Sequence, residues 1–249
     1  MHHVPRHQLS VQDDATLRKK QEEVDNDPCT GKLDVDKKWR AARKTKHLKR
    51  VLAVLQAMAG PTARCMYCLD SHGTDIEHWR PKRAYPESMF VWPNLLLCCT
   101  ECGRFKGDTF PLTASGIALM IDPTIDDPWD HLDFDPLTGQ ITASFDAATN
   151  AFDARGEATA TVLHFPQREA MHEAYRRTWM RLCDIANAHL RRKRLDHDEL
   201  LAALRAADSH GLLGWCLSTR GTTESPFREL LATHPSVIDC HRAVPPTQA

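Results

Sequence analysis

Hydrophobic periodicity predicts helices towards both ends of the chain. Between residues 32 and 58, apolar side chains recur at helical spacing, and the AGPT segment at 59–62 ends the pattern. The residues of this stripe are Trp39, Leu48, Val51, Leu52, Val54 and Leu55. From about residue 159 onward, apolar positions three and four apart predict a mostly helical region. Residues 1 to about 30 are polar without clear periodicity, so we expect a loose arm there.

Shorter elements are predicted in the middle of the chain. The segment DIEHWRPKR (75–83) alternates up to His78 and then meets Pro81, which predicts a short strand ending at His78. WPNLLLCC (92–99) predicts a second strand, and TECGRFKG (100–107) has the pattern of a helix start. Residues 121–146 are rich in Asp and Pro, and they predict short strands and loops without the spacing of an EF-hand. The chain is therefore predicted to be α+β, divided into 1–60, 61–115 and 116–249.

Composition is ordinary for a globular protein, with 42% hydrophobic and 26% charged residues. The formal net charge of -1 gives no evidence for a nucleic-acid partner, so any basic surface must be local. Residues 37–50 supply one, with eight Lys and Arg and no acid. This run is either a solvated helix face or a surface that contacts phosphates. The candidate phosphate contacts are Lys37, Lys38, Arg40, Arg43, Lys44 and Lys46.

Nine cysteines bear on the compartment and the chemistry. The chain has no uninterrupted apolar run of about 20 residues, and its N-terminal segment lacks the apolar region of a secretory signal. We therefore expect a cytoplasmic protein with no membrane partner. In a reducing compartment, an odd number of cysteines with four in Cys-x-x-Cys pairs favours metal binding over disulfides.

Two Cys-x-x-Cys pairs stand thirty residues apart, Cys65 with Cys68 and Cys99 with Cys102. Four thiolates in two such turns predict a closed, structural zinc site. Cys98 could substitute for Cys99, but the two-residue spacing favours Cys99. Buried free cysteines are the alternative, and a redox pair is disfavoured because no βαβ pattern surrounds either motif. The remaining four cysteines are scattered and suggest no chemistry: Cys29, Cys183, Cys216 and Cys240.

The order Cys-x-x-Cys, acid-His, Asn, Cys-x-x-Cys, Lys resembles the ββα-metal core of the HNH endonucleases. The resemblance implies a small zinc-clamped core between an N-terminal basic helix and a helical C-terminal region. It also implies hydrolysis of DNA phosphodiesters, with His78 as the general base and Glu77 as a ligand of a catalytic Mg²⁺ or Mn²⁺. Asn94 would brace the loop and orient the histidine, and Lys106 would add positive charge.

Gly103 departs from the family pattern, because the residue after the last cysteine is usually an Asn or His that ligates the catalytic metal. Asp108, Asp75 or Asn94 could replace it, and the sequence does not choose among them. The departure favours an alternative function, a zinc-stabilised nucleic-acid-binding or adaptor module without catalysis. An RNA-cleaving toxin on the same core is a third hypothesis.

The phrases that flank the core, WPNLLLCCTECGRFKGDTFPL and LMIDPTIDDPWDHLDFDPLTGQI, resemble one bacterial subgroup of HNH proteins. That subgroup includes the nuclease subunit of Septu-type anti-phage systems and retron-associated effectors. The resemblance implies a co-encoded ABC- or SMC-like ATPase as partner and DNA as substrate. The helical C-terminal region would be a scaffold for the core or a docking surface for the ATPase. The oligomeric state is not predicted.

Overall fold

A computed structural model describes residues 1–27, 34–192, 195–218 and 220–243. Helices and three small antiparallel strand pairs make up these ranges. The helices are α1 (Val11–Asp25), α2 (Val35–Ala42), α3 (Lys46–Met58), α4 (Thr100–Lys106), α5 (Ala154–Val162), α6 (Glu169–Leu190), α7 (His197–Ala207), α8 (Leu212–Cys216), α9 (Phe227–Thr233) and α10 (Ser236–Ala243). The strands are β1 (Asp75–His78), β2 (Leu95–Cys98), β3 (Leu132–Phe134), β4 (Ile141–Ala143), β5 (Phe145–Asp146) and β6 (Ala151–Phe152).

Strands β1 and β2 pair antiparallel, and helix α4 follows β2 after a single residue. The register sets Asp75 opposite Cys98 and His78 opposite Leu95. All four residues of β2 are buried, because α3 packs on this strand. The strand–strand–helix order expected from the sequence is therefore present, with β1 ending at His78 as predicted.

The loose arm expected over residues 1–30 is wrong for most of its length. Helix α1 occupies Val11–Asp25 and packs against α3. Its buried positions are Asp13, Leu17, Gln21 and Val24, which follow helical spacing. Two of them are polar, so the apolar stripe is too sparse to be recognised in the sequence. Residues 28–30 of the expected arm, Cys29 among them, lie outside the described residues.

The single helix expected from residue 32 to Met58 is instead two helices, and residues 32–33 lie outside the described residues. Thr45 closes the turn that follows α2 and is the N-cap residue of α3. Its hydroxyl donates to the carbonyl of Ala42 at 2.7 Å and accepts from the backbone N–H of Leu48 at 3.4 Å. A threonine at the N-cap position satisfies N–H groups that a helix start leaves unpaired. The break lets α2 take its own direction.

The C-terminal region packs around α6, which contacts α7, α8 and α9. An aromatic cluster on this helix joins it to the β3–β4 hairpin, with Phe134, Trp179 and Trp215 in mutual contact. The mostly helical C-terminal region expected from the sequence is present. In the described ranges, no helix combines the length and the apolar character that a membrane crossing requires.

Asp13→Asn is expected to lower the free energy of unfolding by about 1–3 kcal/mol, because hydrogen bonds to a charged group that is buried are costly to lose. The Asp13 carboxylate is buried and accepts from Arg50 Nη2 at 2.6 Å and from Arg50 Nε at 3.0 Å. Urea denaturation at neutral pH measures the difference. Asp14→Asn is the matched control, because Asp14 pairs with exposed Arg18 on the same helix; it should change stability by under about 0.5 kcal/mol.

The difference in free energy of unfolding between the Asp13→Asn variant and the unmodified chain should become smaller at acidic pH. Hydrogen bonding to Arg50 lowers the pKa of Asp13 far below its usual range. A carboxyl whose folded-state pKa is depressed contributes stability above its unfolded pKa, about 3.9, and loses that contribution as the pH falls below it. If the difference in free energy of unfolding between the two proteins stayed constant from pH 7 to pH 3, the ion pair between Asp13 and Arg50 would not contribute to stability.

Candidate functional site

The four paired cysteines meet in one buried cluster. The Sγ atoms of Cys65, Cys68, Cys99 and Cys102 all lie within 4.8 Å of one another. Four sulfurs placed tetrahedrally at 2.3 Å from zinc are about 3.8 Å apart, and the Cys68 and Cys99 sulfurs are 3.9 Å apart. The donor set and its size therefore fit a structural zinc ion. Among the described residues, no other group of three or more His, Cys, Asp or Glu side chains is placed to hold a metal.

Cys99 rather than Cys98 completes the cluster, as the spacing predicted. Cys99 is the N-cap of α4, and its sulfur accepts from the backbone N–H of Cys102 at 3.4 Å. The Cys98 sulfur lies 4.0 Å from that of Cys65, and its thiol donates to the Cys99 carbonyl at 3.3 Å. Cys98 is thus a buried neighbour of the cluster.

Two residues of the C-terminal region contact the cluster. Arg168 is buried, and its guanidinium donates to the Cys102 sulfur at 3.2 Å and also pairs with Glu101. The Tyr175 hydroxyl donates to the Cys68 carbonyl at 3.0 Å. A cation that donates to a thiolate stabilises its charge, as outer-shell partners of metal ligands do. Sequence reasoning missed Arg168, because 66 residues separate it from Cys102 and no local pattern marks it.

A cleft of about 250 Å³ lies beside the cluster, between β1, α2 and α4. Glu77, His78, Lys82 and Gly103 are among the residues that line it. Two of these, Glu77 and His78, are the acid-His pair of the sequence. The sequence analysis did not single out Lys82. Its position directly after Pro81, which interrupts the predicted strand segment, could have marked it as a candidate.

His78 is held in one tautomer. Its Nε2 lies 3.0 Å from the Met89 carbonyl, which can only accept, so Nε2 carries the proton and Nδ1 keeps its lone pair. The Trp39 ring of α2 packs edge-on against the imidazole, with centroids 4.3 Å apart. Burial, and then the charge of Lys82, lowers the pKa of His78 to about 3. The imidazole is therefore neutral at physiological pH, the form that a general base requires.

Glu77 and Lys106 form a pair beside the cleft. Lys106 is fully buried, and its ammonium donates to Glu77 Oε1 at 3.1 Å and to the His78 carbonyl at 2.7 Å. Burial raises the pKa of Glu77, and the charge of Lys106 opposes that rise. With no exposed surface, Lys106 does not contact a substrate directly. The cations that line the cleft in the described part of the chain are Lys82 and Arg83.

Asn94 lies in the turn before β2, and its side chain spans the loop after β1. Its Oδ1 accepts from the backbone N–H of Arg80 at 2.7 Å. Its Nδ2 donates to the carbonyls of Arg80 and Ser88 at 3.1 and 2.9 Å. The amide is thus used in full within the protein. Since Met89 follows Ser88 and accepts from His78, these bonds also fix the residue that orients the imidazole.

The donors for a catalytic divalent ion are incomplete. A Cβ built on Gly103 would lie 3.5 Å from Glu77 Oε2, so a side chain at this position would reach the carboxylate, and glycine supplies none. Asp75 is paired with Arg43 at 3.0 Å, and Asp108 with Arg83 at 2.8 Å. Of these three carboxylates, Glu77 is left as the one that could bind Mg²⁺ or Mn²⁺. A single carboxylate does not form a complete metal-binding site.

The predicted phosphate-contacting residues of α2, of α3 and of the turn between them are mostly exposed. Two of them pair with acidic side chains among the described residues. Lys38 pairs with Asp27 at 2.6 Å, and Arg43 pairs with Asp75. Arg40 and Arg43 line a groove that shares Trp39 and Lys82 with the cleft. The groove continues to Lys44 and Lys49. Lys37 and Lys46 are exposed on the same two helices but line neither part of the groove.

Comparison with known proteins shows a partial similarity to a defence protein. The chain is 30% identical over 113 residues to the Septu protein PtuB of Bacillus thuringiensis. The match covers 43% of this chain, and the chain spans only 38% of that relative. It agrees with the Septu part of the resemblance drawn from the sequence. No family model matches the chain.

Purified protein is expected to contain about one zinc ion per chain, and Cys102→Ser should weaken zinc binding by more than about 100-fold. Metal analysis after dialysis and competition with a chromogenic chelator measure both. Cys240→Ser is the control, because Cys240 is half-buried in α10 and is not one of the four clustered cysteines. Equal zinc in the two variants would show that the cluster does not hold the metal.

Proposed function

We propose that the chain is an HNH-type endonuclease that cleaves DNA phosphodiester bonds in anti-phage defence. The observation that carries the proposal is the placement of His78 at the end of β1. There it faces a cleft, neutral and fixed by Met89, within a strand–strand–helix unit clamped by four cysteines. The similarity to a Septu protein supports the defence role. By the resemblance, the partner is a co-encoded ABC- or SMC-like ATPase.

In this proposal, His78 Nδ1 removes a proton from a water molecule. The hydroxide oxygen forms a bond to phosphorus, and the bond from phosphorus to the leaving sugar oxygen breaks. The leaving oxygen takes the electron pair of that bond and a proton from solvent water, and His78 later returns its proton to solvent. The anionic phosphate raises the pKa of the imidazole as it approaches, because a nearby negative charge favours the protonated form. Lys82 offsets negative charge on the phosphate. A divalent ion, if bound, would take Glu77 as a ligand and would supply further charge stabilisation.

The second candidate function is a nucleic-acid-binding or adaptor module that has lost catalysis. Gly103 favours it, because the position that faces Glu77 offers no ligand, and Lys106 already bonds to that carboxylate. An RNA-cleaving activity uses the same cleft and is separated from DNA cleavage by the substrate alone. The assays below therefore include both nucleic acids.

His78→Ala is expected to lower DNA cleavage by at least about 100-fold, because loss of a general base removes 10²–10⁴-fold in rate. The assay is plasmid nicking by purified protein with Mg²⁺, Mn²⁺ or EDTA, alone and with the co-encoded ATPase, beside a matched RNA. His72→Ala is the control, because His72 is exposed and does not line the cleft. Absence of cleavage in every condition, with binding retained, would favour the module. Cleavage of RNA alone would favour the toxin.

Gly103→Asn tests the missing ligand by restoring it. The added Cβ is in ordinary van der Waals contact with the Glu77 carboxylate, so the amide oxygen should reach an ion held there. We expect the concentration of Mn²⁺ that gives half-maximal cleavage to fall by about 10-fold, the effect of one charge-assisted contact. Gly103→Ala adds the Cβ without the oxygen and is the control. An equal effect of both variants would contradict a metal at Glu77.

A further inference from the structure

Two cations, Lys82 and Arg83, follow Pro81 in the loop after β1, and this segment lines the cleft. Lys82 lines the cleft together with Glu77 and His78, and also lines the groove that leads to Arg40 and Arg43. Arg83 lines the cleft and is largely exposed. This pair therefore stands where the basic groove of α2 opens into the candidate site. Neither residue belongs to the basic run of 37–50.

Asp36 of α2 holds both cations. Its Oδ1 lies 3.4 Å from Lys82 Nζ, and its Oδ2 accepts from Arg83 Nη2 at 2.5 Å and from Arg83 Nε at 3.0 Å. Asp36 is the one acid of this helix, and it lies on the groove itself. A carboxylate and a phosphodiester both present two anionic oxygens, and the planar guanidinium fork binds either group.

We propose that Lys82 and Arg83 form a phosphodiester-binding site at the entrance of the cleft, and that Asp36 occupies this site until a nucleic-acid backbone displaces it. The inference rests on the proposed function for the identity of the substrate. It adds a recognition site for the phosphate group and a contact that competes with the substrate.

The geometry makes the exchange easy. The ion pairs of Asp36 are partly exposed, and such pairs add little net stability, so their loss costs little. Arg83 keeps a second partner, because its Nη1 donates to Asp108 Oδ2 at 2.8 Å. The guanidinium therefore remains oriented at the cleft when Asp36 leaves. Arg40 and Arg43 can take the neighbouring phosphates along the groove.

The test is the affinity for a short fluorescent DNA duplex, measured by anisotropy in EDTA so that cleavage does not interfere. Asp36→Asn should tighten binding by about 3–10-fold, because it removes the carboxylate that competes with phosphate for Lys82 and Arg83. Glu173→Gln is the matched control. It also removes one acid and frees two arginines, Arg176 and Arg177, which line neither the cleft nor the groove. Equal tightening by both variants would overturn the proposal, since it would reflect net charge alone.

Lys82→Gln provides an independent test that does not depend on the stability of α2. Removing one phosphate contact should weaken binding and lower the slope of log affinity against log salt by about one. In the Lys82→Gln, Arg83→Gln double variant, Asp36→Asn should no longer tighten binding. An unchanged salt slope in Lys82→Gln, or tightening that persists in the double variant, would overturn the site.

These outcomes separate the two proposals. If no variant cleaves DNA but Asp36→Asn tightens binding more than Glu173→Gln does, the endonuclease proposal fails and the phosphodiester site stands. If the unmodified chain cleaves DNA and none of the binding differences is seen, the endonuclease stands and the site fails. Circular dichroism of each variant confirms that the fold is retained.

Discussion

The four cysteine sulfurs are the constraint on which the rest of the candidate site depends. Strands β1 and β2 have four residues each, and an isolated pair of this size is at best marginally stable in water. A structural zinc ion can contribute on the order of 10 kcal/mol to folding. Because two of its ligands flank the start of α4 and two come from the turn at 65–68, the cluster fixes the helix against the strand pair. Arg168 and Tyr175 attach the C-terminal region to the same cluster.

The site combines an unfavourable burial of charge with compensating partners. Glu77 and His78 are the last two residues of β1. Burial disfavours the charged form of both side chains. Lys106 reduces this cost for the carboxylate, while the Met89 carbonyl holds the imidazole in its neutral tautomer. The cationic side chains that line the cleft lie outside this pair, on Lys82 and Arg83.

Local patterns in the sequence predicted the parts of this site that are close together in the chain. The Cys-x-x-Cys spacing identified the cluster, and the alternation that ends at Pro81 identified β1. Helix α1 was missed because its buried positions include Asp13 and Gln21, whose partners lie far along the chain. Arg168 was missed for the same reason, because its partner Cys102 is 66 positions away in the chain. Asp36 directly precedes the basic run of residues 37–50 in the sequence. Its contact with Arg83 could not be predicted, because it depends on how α2 packs against the loop after β1.

If the cysteine cluster holds the strand pair and α4 together, it also keeps His78 enclosed in its cleft. Labelling of histidines with diethylpyrocarbonate, followed by mass spectrometry, tests it directly in zinc-loaded and zinc-stripped protein. His78 is 4% exposed and should be protected when zinc is bound; it should become labelled when zinc is removed, whereas exposed His72 reacts in both states. Equal labelling of His78 with and without zinc would show that the cleft does not depend on the cysteine cluster.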